Sequence, residues 1–238
     1  MAMPKDHSTQ PTAADYGRTN RTKLRVNKRA HYDRETVHAI LDEGYVMHLA
    51  FVEAGVGAGA PVVIPTFYVR DGDSILIHGS RKTRMFKTLA EGVPLCASVT
   101  LLDGLVMARS WFHHSMNFRS VVAHGAAHLV EDEAECVAAL ALFMERVAAG
   151  RSQGSRPPNA VEMKQTMVLR IPLEEVVAKV RTGGPNDDEE DLDLPYWAGC
   201  VPMQTRHLMP ITSRSMTQDV PVPDAMVALV GDVRKTGG

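Results

Sequence analysis

The sequence predicts a mainly β domain with helices at its flanks, closed or partly closed into a barrel. Three observations carry this. Short β-prone runs recur along the chain, the clearest alternating apolar and polar residues with period two. Turn signals separate them, Arg70-Asp71-Gly72-Asp73 being the plainest. Helical spacing is confined to a few windows.

In chain order, residues 1–22 are polar and carry Pro4 and Pro11, which reads as a disordered tail. Asp33 reads as an N-cap, with Val37, Ile40 and Leu41 on one face and Gly44 closing the helix. Tyr45, Met47, Leu49 and Phe51 share one face of a strand that ends at Glu53. Ala54 to Ala60 reads as a flexible loop. Pro61 to Arg70 is β-rich, and Ser74 to His78 returns from the turn. Ser80 is placed to cap a helix that Gly92 ends, with Met85, Phe86 and Leu89 facing the core. Pro94 to Leu102 and Phe118 to Val130 read as strands, the second with a bulge or bend at Gly125. Asp132 and Glu135 suggest a capping box for a helix whose apolar face is Val137, Leu140, Ala141, Met144 and Val147. Thr166 to Ile171 and Val176 to Arg181 are further strands, and Asn186 to Asp193 is an acidic, solvated loop. One domain therefore spans 23–210, with a loosely held tail over 211–238.

Composition excludes several classes of function. With 45% hydrophobic and 23% charged residues, the chain has the make-up of a globular protein. A net charge of −2 gives no global field for nucleic acid or an anionic membrane. No apolar run reaches the ~20 residues needed to span a bilayer. Three scattered cysteines, Cys96, Cys136 and Cys200, without metal-type spacing, read as free thiols of a cytoplasmic protein.

Two stretches carry the chemistry. Arg81, Lys82, Arg84 and Lys87 crowd the turns after Ser80, where cations are unfavourable unless an anion sits among them. A phosphate monoester suits that site, against the plainer reading of a solvated basic face. The second stretch, Asp103 to Gly125, packs Arg109, Ser110, Trp111, His113, His114 and Arg119 with other polar and aromatic residues between two apolar strands. The mixture suits a surface that meets a cofactor or a second subunit. His113 and His114 are adjacent, and His124 and His128 lie four apart on one strand; neither pair has a partner at metal-site spacing.

The run GLVMARSWFHHSMNFRSV resembles the signature of the flavin-nucleotide-binding branch of the pyridoxamine 5′-phosphate oxidase-like family, relatives of the nitroimidazole reductases. The resemblance extends from about Lys23 to Met203. It implies a six-stranded split barrel, a homodimer with flavin sites at the interface, and FMN as cofactor, with FAD allowed where an adenylate can extend outward. It further implies that Ser80, Lys82 and Arg84, with His78 and Thr83 nearby, hold the phosphate. Pro65 and Thr66 would face the flavin ring, Arg119 and Ser120 would reach it from the partner, and Trp197 would stack beside it or pack in the core. The expected activity is reduction of a small molecule with NADH or NADPH; the alternative is flavin storage or sensing without turnover. Oxidation of pyridoxamine phosphate itself is disfavoured, because only one anion site is evident. Some relatives in the barrel superfamily handle haem, which keeps haem as a lesser option for the histidines.

Overall fold

The computed structural model describes residues 15–53 and 59–231. Eleven strands run through these residues: β1 (Ala30–His31), β2 (Val46–Glu53), β3 (Ala60–Phe67), β4 (Val69–Asp71), β5 (Ser74–Ser80), β6 (Pro94–Met107), β7 (Ser115–Ala126), β8 (His128–Leu129), β9 (Thr166–Pro172), β10 (Glu175–Arg181) and β11 (Gly199–Pro202). Five helices flank them: α1 (Arg34–Glu43), α2 (Arg84–Ala90), α3 (Glu133–Val147), α4 (Ala160–Gln165) and α5 (Asp224–Gly231). All strand pairing is antiparallel. The longer sheet has the order β1-β10-β7-β6-β2-β3, with β11 beside the far end of β6; the shorter is β4-β5-β9-β8.

The two sheets enclose one core. Met47, Leu49 and Phe51 of β2, Ala97 and Val99 of β6, Val121 of β7 and Ile75 and Ile77 of β5 fill it. Leu76 and Val168 point the other way, into a second cluster beneath Phe143 of α3. β5 is thus buried on both faces, which explains its unbroken Ile-Leu-Ile run. The split barrel is mainly antiparallel β with helices at its flanks, and short strands such as β1, β8 and β11 extend it.

Several boundaries differ from the sequence reading, each for a local reason. Residues 15–22 are anchored at two points rather than loose throughout: Tyr16 and Thr22 are buried, the Tyr16 hydroxyl donates to Asp73 Oδ1 at 2.9 Å, and Gly17, Arg18, Asn20 and Arg21 stay exposed. The run Pro61 to Arg70 is two strands, because buried Tyr68 turns the corner and donates its hydroxyl to the Leu41 carbonyl at 2.6 Å. β3 therefore pairs with β2, and only β4 pairs with β5. Pro65 does sit on an edge strand. Between β7 and β8 the chain changes sheet at buried Ala127, not at Gly125. His124 and His128 consequently lie in different sheets rather than on one face.

Helix α3 buries Cys136, Ala139 and Phe143, while Val137 and Val147 are exposed, so its inward face is rotated from the expected one. Asp132 caps it by accepting from the Glu135 N–H; the Glu135 side chain instead accepts from Arg170. The loop reading for Ala54 to Ala60 falls mostly on residues outside those described. The C-terminal segment carries α5, a helix the sequence reading did not anticipate.

Candidate functional site

The basic turn after β5 is built by backbone pairing. Ser80 stays in the ladder opposite Thr166, so it does not cap α2; Thr83 occupies that position without a side-chain cap bond. Ser80 Oγ accepts from the Lys82 N–H at 3.2 Å and the Ser80 carbonyl from the Thr83 N–H at 2.9 Å. This tight turn leaves Ser80, Arg81, Lys82, Thr83 and Arg84 exposed. Arg84 is anchored to the buried Glu53 carboxylate at 3.0 Å. Arg81, which shares a pocket with Glu131 and Glu133, and Lys82 form no ion pair among the described residues, so the turn offers two cations and two hydroxyls, a set that fits a phosphate. Gly79 serves packing rather than a ligand: a Cβ there would lie 2.3 Å from Cε2 of Phe86.

His78 stands two residues before that turn. Its ring meets Phe143 edge-on at 4.3 Å, its Nδ1 is buried without a partner among the described residues, and burial pushes its pKa down, which favours the neutral form. Phe143 also lies 5.5 Å from the ring of Phe67. The segment holding Pro65 and Thr66 therefore approaches His78 through a helix residue, not through strand pairing. Phe143 was missed because the sequence assigned the wrong face to α3.

Arg119 is committed within its own chain. Nε and Nη2 donate to Asp103 at 2.9 and 2.8 Å, and Nη1 and Nη2 to Glu43 at 2.5 and 2.9 Å. These bonds raise its pKa further. A bulge between Leu102 and Gly104 aims Asp103 at the guanidinium. The guanidinium that the resemblance assigns to a partner's flavin is thus engaged by Asp103 and Glu43 of its own chain. Its clamp forms part of the wall of a cleft of about 320 Å³, lined also by Tyr45, Thr100, Met203 and His207. Ser120 Oγ donates to the Lys179 carbonyl at 3.4 Å. Trp197 is exposed, so it is not core; its indole lies over Gly199, where a Cβ would come within 2.8 Å of the ring.

The β6–β7 hairpin ends in a short 3-10 turn, Trp111–His113, with Trp111 96% and Phe112 88% exposed. His114 Nδ1 lies 2.9 Å from the Ser110 carbonyl. A carbonyl only accepts, so Nδ1 carries a proton, which leaves Nε2 as the nitrogen able to offer a lone pair. His113 Nε2 is bonded to Asp188 instead, at 3.0 Å. Asp187 accepts from both the Arg109 N–H and its guanidinium; burial pushes its carboxyl up, but these bonds outweigh that and hold it low. The acidic loop is therefore partly structural: Asp187 and Asp188 tie it to the hairpin tip. Among the described residues no three His, Cys, Asp or Glu side chains gather into a metal site.

The fold is thus an antiparallel split barrel that carries an exposed basic turn after β5. The family model described as pyridoxamine 5′-phosphate oxidase matches residues 33–180, and the chain belongs to that family. The flavocytochrome Anf3 from Azotobacter vinelandii is 40% identical, with a TM-score of 0.83, over 89% of this chain and 97% of that one. The FAD and heme binding protein from Mycobacterium smegmatis is 30% identical, with a TM-score of 0.80, over 85% of this chain and 98% of that one. A putative 5-nitroimidazole antibiotic resistance protein from Bacteroides thetaiotaomicron, 17% identical with a TM-score of 0.53 over 63% and 86%, shares the fold. No curated protein matches in sequence. No described helix is long and apolar enough to cross a membrane.

Proposed function

We propose that this protein is a cytoplasmic, homodimeric redox protein that binds a flavin nucleotide and a haem. The observation that carries the reading is its similarity, at 40% and 30% identity over most of each chain, to a flavocytochrome and to an FAD and haem binding protein. FAD is favoured over the FMN expected from the signature, because the second of these is described as binding FAD. Either flavin presents a phosphate to the same turn, where Lys82 and Arg81 form no ion pair among the described residues and Ser80 and Thr83 add hydroxyls. Haem becomes a leading reading rather than a lesser one. His114 would hold the haem iron through Nε2, because the Ser110 carbonyl fixes its proton on Nδ1. Exposed Trp111, Phe112 and Met116 beside it offer apolar surface for a porphyrin. Bound flavin would supply hydride acceptance from NADH or NADPH, and bound haem one-electron chemistry.

Purified protein should show both a flavin spectrum and a Soret band, and mass spectrometry of the released flavin should give FAD. Lys82→Ala should weaken FAD by about tenfold while sparing riboflavin, since a charge-assisted bond contributes roughly 1.5–3 kcal/mol. His114→Ala should abolish or shift the Soret band and leave the flavin in place. Protein that takes up neither cofactor on titration overturns the reading.

A further inference from the structure

Two apolar surfaces of this chain stay bare in the same copy. One is the C-terminal segment beyond His207. Leu208 and Met209 are exposed, Ile211 is 96% exposed, and Val220 and Val222 follow. Helix α5 buries none of its residues. The other is the outer face of β2 and β3. While Met47, Leu49 and Phe51 fill the core, the alternate positions Val46 and Val52 point outward, and so does Val63 of β3. The register sets Ala50 opposite Val63, Val52 opposite Pro61 and His48 opposite Pro65, so the face is continuous. Monomeric proteins rarely leave two such patches open.

We propose that residues 208–231 form an exchanged arm that packs on the outer β2–β3 face of a second copy. The proposal rests on the homodimer suggested above and names the surface that builds it. Exchange between two copies covers both patches twice, the reciprocal pattern of a two-fold dimer. The size suits it: the arm has 24 residues, and a standard interface uses about 20–30 residues a side. Strand addition at the open β3 edge is the poorer mode. Pro210, Pro221 and Pro223 in the arm and Pro61 and Pro65 in β3 lack N–H donors, which favours side-chain packing on the face. Lipid is the poorer occupant, because α5 has eight residues and the segment also carries Arg214, Asp219 and Asp224.

The test uses full-length, cofactor-loaded protein in sedimentation equilibrium. An arm variant, Ile211→Asp with Val220→Asp, and a face variant, Val52→Asp with Val63→Asp, alter positions exposed in the single copy. Circular dichroism should therefore show both folded. Each should raise the dimer dissociation constant about tenfold or more. Mixing the two variants should restore dimer, because a mixed pair keeps one intact arm on one intact face whereas neither variant alone has any. A wild-type dimer unaffected by either variant overturns the arm while leaving the dimer standing. A mixture no tighter than its components also overturns it. Wild-type protein that is monomeric yet still shows its flavin and Soret bands removes both the arm and the dimer. Co-sedimentation of the wild type with phosphatidylcholine–phosphatidylserine vesicles, lost in the arm variant at unchanged oligomeric state, assigns the segment to lipid and overturns the proposal.

Discussion

Arg119 directs four hydrogen bonds to two carboxylates of its own chain, and all three side chains are largely buried. Burial makes such a clamp a poor source of net stability when intact and a costly one to break. Removing the guanidinium takes from Asp103 and from Glu43 the ion pair that each makes with Arg119 in a largely buried setting. Arg119→Met should therefore destabilise the protein by roughly 3–5 kcal/mol in urea titration. Adding Glu43→Gln and Asp103→Asn should recover much of that loss. A single variant with wild-type stability would mean that the clamp opens freely and that Arg119 is available to a ligand after all. The residue was singled out from the sequence because of its type and its neighbours. Its partners could not be read there. Glu43 is 76 positions away, and Asp103 reaches it only because a bulge re-aims the strand. His114 is the contrasting case. Its bond to Ser110 spans four residues, but the neighbouring His113 carries the same letters and a different partner, Asp188.

Elements were legible where one face is buried and the other wet. β2 alternates cleanly, and its reading survived to within a residue. The Pro61 to Arg70 run hid a corner because buried Tyr68 is itself β-prone, so nothing in the local pattern marks the change of sheet. Helix α3 is rich in Ala, Val and Leu on several sides, which leaves its inward stripe ill-defined and let Phe143 escape notice. Gly79 shows how closely elements are fitted. Its Cα faces the Phe86 ring so closely that a Cβ would sit 2.3 Å from Cε2 and 2.8 Å from Cζ. Gly79→Ala should cost about 1–3 kcal/mol, the range for overpacking a core. Phe86→Leu should cost stability by itself, yet the double variant should be more stable than the sum of the two losses predicts. Simple additivity of the denaturant midpoints would show that the ring moves aside without cost and that Gly79 is kept for another reason.

At the scale of the molecule, Asp73 ties three parts of the chain together. It lies at the β4–β5 turn, accepts from Tyr16 of the N-terminal segment at 2.9 Å, and pairs with Arg34 of α1 at 3.0 Å. His38 of α1 completes the cluster, 2.8 Å from the Tyr16 hydroxyl. This network explains why Tyr16 is held although the composition around it is that of a tail: polar partners far along the chain anchor it. It also sets a pH dependence. The hydrogen bond from Arg34, with that from Tyr16, holds the Asp73 carboxyl below its ordinary 3.8. Its contribution is present above that value and is lost as pH falls through the lower folded value, because the unfolded chain binds the proton first. Burial, with the nearby Arg70 charge, holds His38 below its ordinary 6.5. The unfolded chain again takes up the proton first, so this contribution is complete above 6.5 and declines as pH falls through the folded value. Melting temperature should thus decline in two stages, beginning below 6.5 and again below 3.8. His38→Gln keeps a hydrogen-bonding group but cannot titrate, and it should shrink the first stage to the part that His78 contributes, leaving the second stage as it is. Asp73→Asn should lower stability at neutral pH, where the charged pair is intact, and shrink the second stage to the part that Asp33 and Asp187 contribute. A first stage that persists unchanged in His38→Gln would place its proton uptake on another group, and the tie between α1 and the N-terminal segment would then be indifferent to acid.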